Sequence, residues 1–347
     1  MRRLKILVLM HEDLVPPRSI RGMAFAEIAP FKTEFDVVQT LRELGHDVLP
    51  LGVSTDLGVI RDAIHTFSPH ITFNLLEEFH GVAVYDHAVV SFLELLRAPY
   101  TGCNPRGLML CHDKALTHKI LSFHGIRVPA FTVFERGRIV RRPNHLNFPL
   151  FVKSTVEDAS LGISQASIVH TDAKLQERVA YVHEQVGTDA LCEAFIPGRE
   201  LYVGLMGNQR VTTLPIWELH FKNVDAESPK IATAKVKWDE AYQRRWGIES
   251  READDLDVCT TNRIKRLARR VFHALGLSGY ARVDLRMNDA GQVFVLEVNP
   301  NPQLAFGEDF ADSAKAVGMD YPALIQRIVE LGLGYRPQWK AAESATG

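Results

Sequence analysis

Arg282-Val283-Asp284-Leu285-Arg286, a turn at Asp289-Ala290-Gly291, and then Val295-Leu296-Glu297-Val298-Asn299-Pro300-Asn301-Pro302 are the stretch that decides how the chain is read. Successive residues of a strand face opposite sides, so Arg282, Asp284 and Arg286 share one face, as Glu297 and Asn299 do on the next strand. Paired as a hairpin, the two strands bring Asp284, Glu297 and Asn299 together as oxygen donors, with Arg282 beside them. Hard oxygen ligands with room left for water and phosphate suit a magnesium ion that serves a nucleotide. Alternating charges can also be no more than the wet face of an antiparallel sheet. The Asn-Pro-Asn-Pro run weighs against that, because it breaks the strand where its last polar side chains would be open to a ligand.

Three further pieces lie upstream. In Phe151-Val152-Lys153-Ser154-Thr155 a lysine ends an apolar strand, and Ser160-Leu161-Gly162 supplies a small-residue loop whose backbone N–H groups could cover phosphates. Alone it is weak, since a strand-end lysine is commonly a solvated head on an apolar stem. In Cys192-Glu193-Ala194-Phe195-Ile196-Pro197-Gly198-Arg199-Glu200, a glutamate inside an apolar strand could accept from an adenine amino group while neighbouring backbone completes the pairing. Lys114 stands at the mouth of an expected helix.

The remaining sequence supplies the frame. Leu4–Met10 reads as a strand, followed by a helix over about Phe31–Leu44 that stops at Gly45. Strands near Asp47–Leu51 and Ile71–Leu76 alternate with helices near Leu57–Phe67 and Ala88–Leu96, which argues for a parallel sheet covered on both faces. No G-x-G-x-x-G follows the first strand, so a dinucleotide site is not supported. After Asp113 come a helix over about Lys114–His124, short strands at Phe131–Phe134, Leu150–Lys153, Ser167–His170 and Ala190–Ile196, and a helix near Ala173–Gln185. Strands near Glu200–Leu205 and Val211–Trp217 lead into a polar stretch, Glu218 to Asp255, expected to be a closing loop. A helix over about Val258–Leu275, the decisive hairpin and a helix from Tyr321 to Leu331 complete the chain. The expected division is 1–113, 114–198, 199–335 and a tail, 336–347.

At roughly 150 residues per domain, 347 residues suit two or three domains. Hydrophobic residues at 46% exclude a disordered chain, and 40 Lys and Arg against 42 Asp and Glu speak against a general nucleic-acid or membrane-surface binder. Ile6–Met10 is too short to span a bilayer. Cys103, Cys111, Cys192 and Cys259 have no C-x-x-C or zinc spacing, so reduced thiols in a cytoplasmic protein are expected.

Taken in order, a helix lysine, V-K-S with its small-residue loop, E-A-F-I-P-G-R-E, A-R-V-D and L-E-V-N-P-N-P resemble the ATP-grasp superfamily, and most of all the D-alanine–D-alanine ligases, over about residues 70–331. That resemblance implies α/β and α+β layers: a Rossmann-like N-terminal domain, a central lid and a C-terminal catalytic domain, with ATP held between two sheets. It also implies that Lys114 and Lys153, with Ser160 and Gly162 of the loop, contact ATP phosphates. Glu193 and the Ala194, Phe195 and Ile196 backbone would read adenine, and Glu200 the ribose. Asp284, Glu297 and Asn299 resemble the ligands of Mg2+ (with Mn2+ as a substitute), and Arg282 the arginine that steadies an oxyanion. Lys237 before Trp238 resembles the lysine of a mobile loop, with Lys235 the alternative. The implied chemistry is C–N bond formation between a small-molecule carboxylate and an amine through an acyl phosphate, with no nucleic-acid or membrane partner and with a homodimer compatible.

The substrate half departs from the family pattern. His80-Gly81 and Asp86 keep positions of H-G-x-G-G-E-D-G, but Ala83-Val84-Tyr85 and His87 replace four of its residues. His11-Glu12-Asp13 replaces the early glycine-rich turn with its acid, so Glu12 or Asp13 is the candidate for a substrate amine. Glu308 stands at the family's serine for the acceptor carboxylate. An acid there would repel a carboxylate, so the expected acceptor is not an ordinary amino acid and could be cationic. The expected substrate is an amino acid or short peptide. Rival readings are a true D-alanine–D-alanine ligase, a non-catalytic ATP-binding regulatory module and a phosphotransferase on the same fold.

Overall fold

The computed structural model describes residues 3–156, 162–223, 231–233, 236 and 239–340, with backbone alone at 240. Three sheets follow one another along the chain. The first is parallel, in the order β2 (Asp47–Val53), β1 (Lys5–His11), β3 (Ile71–Asn74). Its centre explains the apolar run: Ile6 to Met10 are fully buried because helices cover both faces of a parallel sheet. The expected helices occur at Lys32–Glu43, Gly58–Phe67 and Asp86–Leu95.

The second sheet runs β4 (Phe131–Phe134), β7 (Ala190–Ala194), β5 (Leu150–Ser154), β6 (Ile168–Val169), with antiparallel pairings. The helix Asp172–Tyr181 packs on it. The third runs β10 (Ile248–Glu252), β9 (Val211–Phe221), β8 (Arg199–Gly207), β11 (Tyr280–Met287), β12 (Val293–Asn299), again antiparallel. Val258–Ala274 covers it, burying Ile264, Ala268, Val271 and Phe272 at helical spacing; each larger side chain contributes roughly 1.5–3 kcal/mol. Asp257 caps that helix by accepting from the Thr260 amide at 2.9 Å.

Several helices escape the sequence reading. Pro105–His112 starts from Asn104, whose side chain accepts from the Gly107 amide at 3.0 Å. Asn followed by Pro is an N-terminal helix signal, so this one was visible. Asp309–Lys315, only seven residues long, was not. The expected loop over Glu218–Asp255 is also corrected: β9 continues to Phe221, a helix spans Glu240–Trp246, and β10 is an edge strand. β10 buries only Ile248 and exposes Glu249 to Glu252, so no apolar alternation announced it.

The terminal helix Tyr321–Gly334 crosses back to the first sheet and packs on Lys32–Glu43 and β3. Gly332 permits this close approach, because a Cβ there would collide with the Tyr100 carbonyl. His46 and Gln326 fix the contact with a 3.1 Å hydrogen bond. Among the described residues no helix is long and apolar enough to cross a membrane.

Candidate active site

The hairpin pairs as its periodicity requires: Asp284 lies opposite Glu297, and Arg282 opposite Asn299. A bulge between Asp284 and Leu285 leaves Leu296 without a counterpart, so Leu296 and Glu297 both reach the nucleotide side. The Asn299 side-chain oxygen accepts from the Asn301 amide at 2.8 Å, and Tyr280 donates its hydroxyl to the Asn301 side chain at 3.0 Å. The Asn-Pro-Asn-Pro turn therefore fixes the end of β12 where it opens into the cleft.

Each acid of this face holds a cation. Arg282 binds Asp284 through two hydrogen bonds, 2.7 and 2.9 Å, and lies over the Tyr202 ring. Burial alone would make that guanidinium less basic, but Asp284 more than offsets it and raises its pKa. Lys114, on the first turn of Lys114–Phe123, reaches Glu297 Oε1 at 3.3 Å, and Lys153, at the end of β5, meets Glu193 Oε1 at 3.0 Å. Arg286 meets Glu200 at 2.8 Å and donates to the Ile196 carbonyl at 3.1 Å. Tyr202 donates to the other Glu200 oxygen at 2.9 Å; burial, then the Glu200 charge, raises its pKa far above the phenol value.

Between the second and third sheets a narrow crevice is lined by Glu193, Ala194, Phe195, Ile196, Glu200 and Leu296. Gly198 closes it: at φ +113 it turns the chain from β7 to β8, and a Cβ there would strike the Met287 carbonyl. The crevice opens into a cleft of about 1060 Å³, at the upper end of the roughly 300–1,000 Å³ of small-molecule sites, so more than one ligand fits. Lys114, Lys153, Arg282, Asp284, Glu297 and Asn299 line that cleft.

The remaining expected residues divide. Glu308 lines the cleft; burial and then Asp309 push its carboxyl pKa up. Asp86 also lines it, but its carboxylate is held by His112 at 2.9 Å. Glu12 does not line it, whereas Asp13 does, because the short helical turn Glu12–Leu14 points Glu12 outward. His80 does not line it either: its backbone, at φ +60, is tied to the Ser54 carbonyl, and its ring packs on Phe79. Gly162 is beside the cleft with its carbonyl held by Arg178. Ser160, Lys235 and Lys237, with Trp238, lie outside the described residues.

Sequence reading missed His118, one helical turn beyond Lys114 on the same face. Its Nε2 stands 4.0 Å from Glu193 Oε2, and burial lowers its pKa to about 4, so it is neutral at physiological pH. Arg286, already placed on the face of Arg282 and Asp284, and Tyr202, which alternation puts on the face of Glu200, were not taken as site residues. Nothing local could have pointed to Glu34 and Glu77, which the fold brings into the same cleft.

A magnesium ion fits the donor set. Among the described residues no three His, Cys, Asp or Glu side chains form a ready-made metal cluster. Magnesium does not need one, since it is typically bound by one or two carboxylates together with substrate phosphates and water. Asp284 and Glu297 already attract positive charge, as their partners Arg282 and Lys114 show.

The family model for the C-terminal part of D-Ala–D-Ala ligases matches residues 120–330. An uncharacterised protein of Sinorhizobium fredii, y4sG, is 33% identical over 309 residues, 85% of each chain. The D-alanine–D-alanine ligase of Desulforudis audaxviator is 31% identical over 303 residues, 85% of this chain and 90% of that one. In structure, the D-alanine–D-alanine ligase of Bacillus anthracis complexed with ATP superposes with a TM-score of 0.74 at 22% identity, over 98% of this chain and 99% of that one. The fold is therefore ATP-grasp, and the chain belongs to the D-alanine–D-alanine ligase family, ATP- and Mg2+-dependent ligases that join a carboxylate to an amine.

Proposed function

We propose that this chain activates a small carboxylate with ATP and joins it to an amine, using the residues gathered on the β11–β12 face. One observation carries the reading: Lys114, Lys153 and Arg282 converge with Asp284, Glu297 and Asn299 in one cleft, beside a narrow crevice lined by Glu193 and the Ala194–Ile196 segment. In this reading Glu193 and the Ala194–Ile196 backbone hold adenine and Glu200 the ribose. Lys114 and Lys153 exchange their present acid partners for phosphate oxygens.

A carboxylate is a poor electrophile, so its oxygen attacks the γ-phosphorus, the bond to ADP breaks, and an acyl phosphate forms. The lysines neutralise charge on the transferring group. Magnesium, held by Asp284, Glu297 and Asn299, would supply further neutralisation of the phosphates. An amine lone pair then attacks the acyl carbon, and Arg282 steadies the oxyanion. The C–O bond breaks, phosphate leaves, and the nitrogen gives up a proton. Neutral His118, buried behind Glu193, adds no charge to the Lys153–Glu193 pair. The separate sheets support the division at 113/114 and 198/199, and the four free thiols, three of them buried, support a cytoplasmic setting.

The test is ADP release over a panel of carboxylate and amine pairs, with mass spectrometry of each hit. The expected result is an amide product that requires both partners. ADP release with a stable phosphorylated product and no amine requirement would make the enzyme a phosphotransferase instead. D-Ala-D-Ala as sole product would return it to the activity for which its D-alanine–D-alanine ligase relatives are named.

A further inference from the structure

The cleft has a second end, away from the crevice, where Glu34, Glu77, Glu78, Glu308, Asp309 and Asp312 line the wall. They come from three segments of the chain: the first turn of Lys32–Glu43, the segment after β3, and the start of Asp309–Lys315. Among the described lining residues, the lysines and arginine are Lys114, Lys153 and Arg282, each within 3.3 Å of an acid at the nucleotide end. His11 is 3.4 Å from Glu78. Asp309 and Asp312 have a structural reason to exist, because acids favour the first turn of a helix.

Glu34 has none. It is 6% exposed and lines the cleft, yet among the described residues its carboxylate has no cationic partner. Burial pushes its pKa up to about 7 against the pull of its own backbone amide, and the charge of Glu77 adds to the rise. Glu308 occupies the N-cap position without capping, so its side chain is not committed to the helix either. Lys32, whose charge acts on Glu308, is already bound to Asp36 and to the Phe306 carbonyl, each at 2.6 Å.

Two physical consequences follow for a ligand. Among the described residues a carboxylate would find no free cation here and would meet several acids, whereas an ammonium would relieve Glu34 and Glu308. The same acids hold an ammonium in its protonated, non-nucleophilic form, so a simple monoamine seated there would not react. A molecule with two amines separates the tasks, and the positive charge of Arg282 favours the neutral form of the one that reaches it. We propose that this end is an acceptor pocket for an alkyl diamine or polyamine lacking a carboxylate, with one ammonium against Glu34 and Glu308 and a second, neutral nitrogen directed to Arg282. The assignment rests on the ligase reading above and names its amine.

Lysine and 1,5-diaminopentane differ only by a carboxylate, which makes them the probes. Calorimetric titration of the full chain at pH 7.5 and fixed ionic strength should show 1,5-diaminopentane binding at least about tenfold tighter than lysine, 1-aminopentane or D-alanine. Glu308→Gln and Glu34→Gln should each weaken the diamine by on the order of tenfold, the loss of one charge-assisted contact, while Mg-ADP affinity stays unchanged. Thermal melting of both variants identifies either that fails to fold, and the other then carries the test. Lysine or D-alanine binding as tightly as the diamine, or a folded variant that keeps full diamine affinity, would overturn the pocket. Failure of the wild-type chain to bind Mg-ADP would overturn the ligase reading instead; intact Mg-ADP binding with lysine preferred overturns the pocket alone.

Discussion

The two ends of the cleft are built from the same kinds of side chain and treat charge in opposite ways. At the nucleotide end each of the described cations has an acid: Lys114 with Glu297, Lys153 with Glu193, Arg282 with Asp284, Arg286 with Glu200. At the other end Glu34 is buried and Glu308 half-buried, and among the described residues neither has such a partner. Paired groups tolerate the empty cleft and can exchange partners when a polyanion and its metal arrive. Unpaired buried acids cost stability until a cation reaches them. The paired end thus suits a ligand that brings both signs of charge, and the unpaired end one that brings positive charge alone.

The comparison can be broken at its strongest point first. Glu297→Gln removes one proposed metal oxygen and the partner of Lys114, so ADP release should fall by about 10²–10³-fold with an unchanged circular dichroism spectrum; retained turnover would dissolve the nucleotide end as drawn. Glu34→Gln comes next and acts on stability. A carboxyl whose folded pKa is about 7, above its ordinary 4.5, binds its proton more readily when folded. Its contribution is therefore complete below about pH 4.5 and is lost as pH rises through about 7. Urea unfolding should find Glu34→Gln close to wild type at pH 4.5 and more stable at pH 8, by up to about 3 kcal/mol. An equal difference at both pH values would remove the claim that Glu34 stands unpaired.

Glu308→Ser should shift acceptor preference toward carboxylate-bearing amines by on the order of tenfold in kcat/KM, and an unmoved preference would separate Glu308 from the acceptor. The smallest effect is expected from Lys174→Ala. Lys174 and Glu177 are 2.7 Å apart, the same distance as Arg282 and Asp284, but both are about two-thirds exposed. Stability should change by less than about 0.5 kcal/mol, which would sharpen the point that burial, and not distance, gives the cleft pairs their weight.

Much of the nucleotide end was legible because its information is local. Period two places Asp284 and Arg282 on one face, and Asn299 immediately precedes Pro300, where the strand ends. The order of the motifs then supplied the family resemblance. The bulge at Leu296 was not legible, since no glycine marks it. β10 was hidden because an edge strand with one buried residue carries no alternation. Glu12 and His80 were placed on the substrate side by their positions in a motif, and backbone turns directed them elsewhere. Glu308 was singled out from its position alone, and it does face the cleft.

By itself the sequence determined the strand faces, the caps, the order of the layers and the family, because these depend on neighbours within a few residues or on motifs read in order. Only the tertiary structure decided that Glu34 and Glu77 share a wall with Glu308. They meet because Lys32 donates to the Phe306 carbonyl and the Phe306 amide donates to Asp36, joining two segments about 270 residues apart in the chain. Charge density in a cleft is a sum over whatever packing brings within reach, and no local pattern records it.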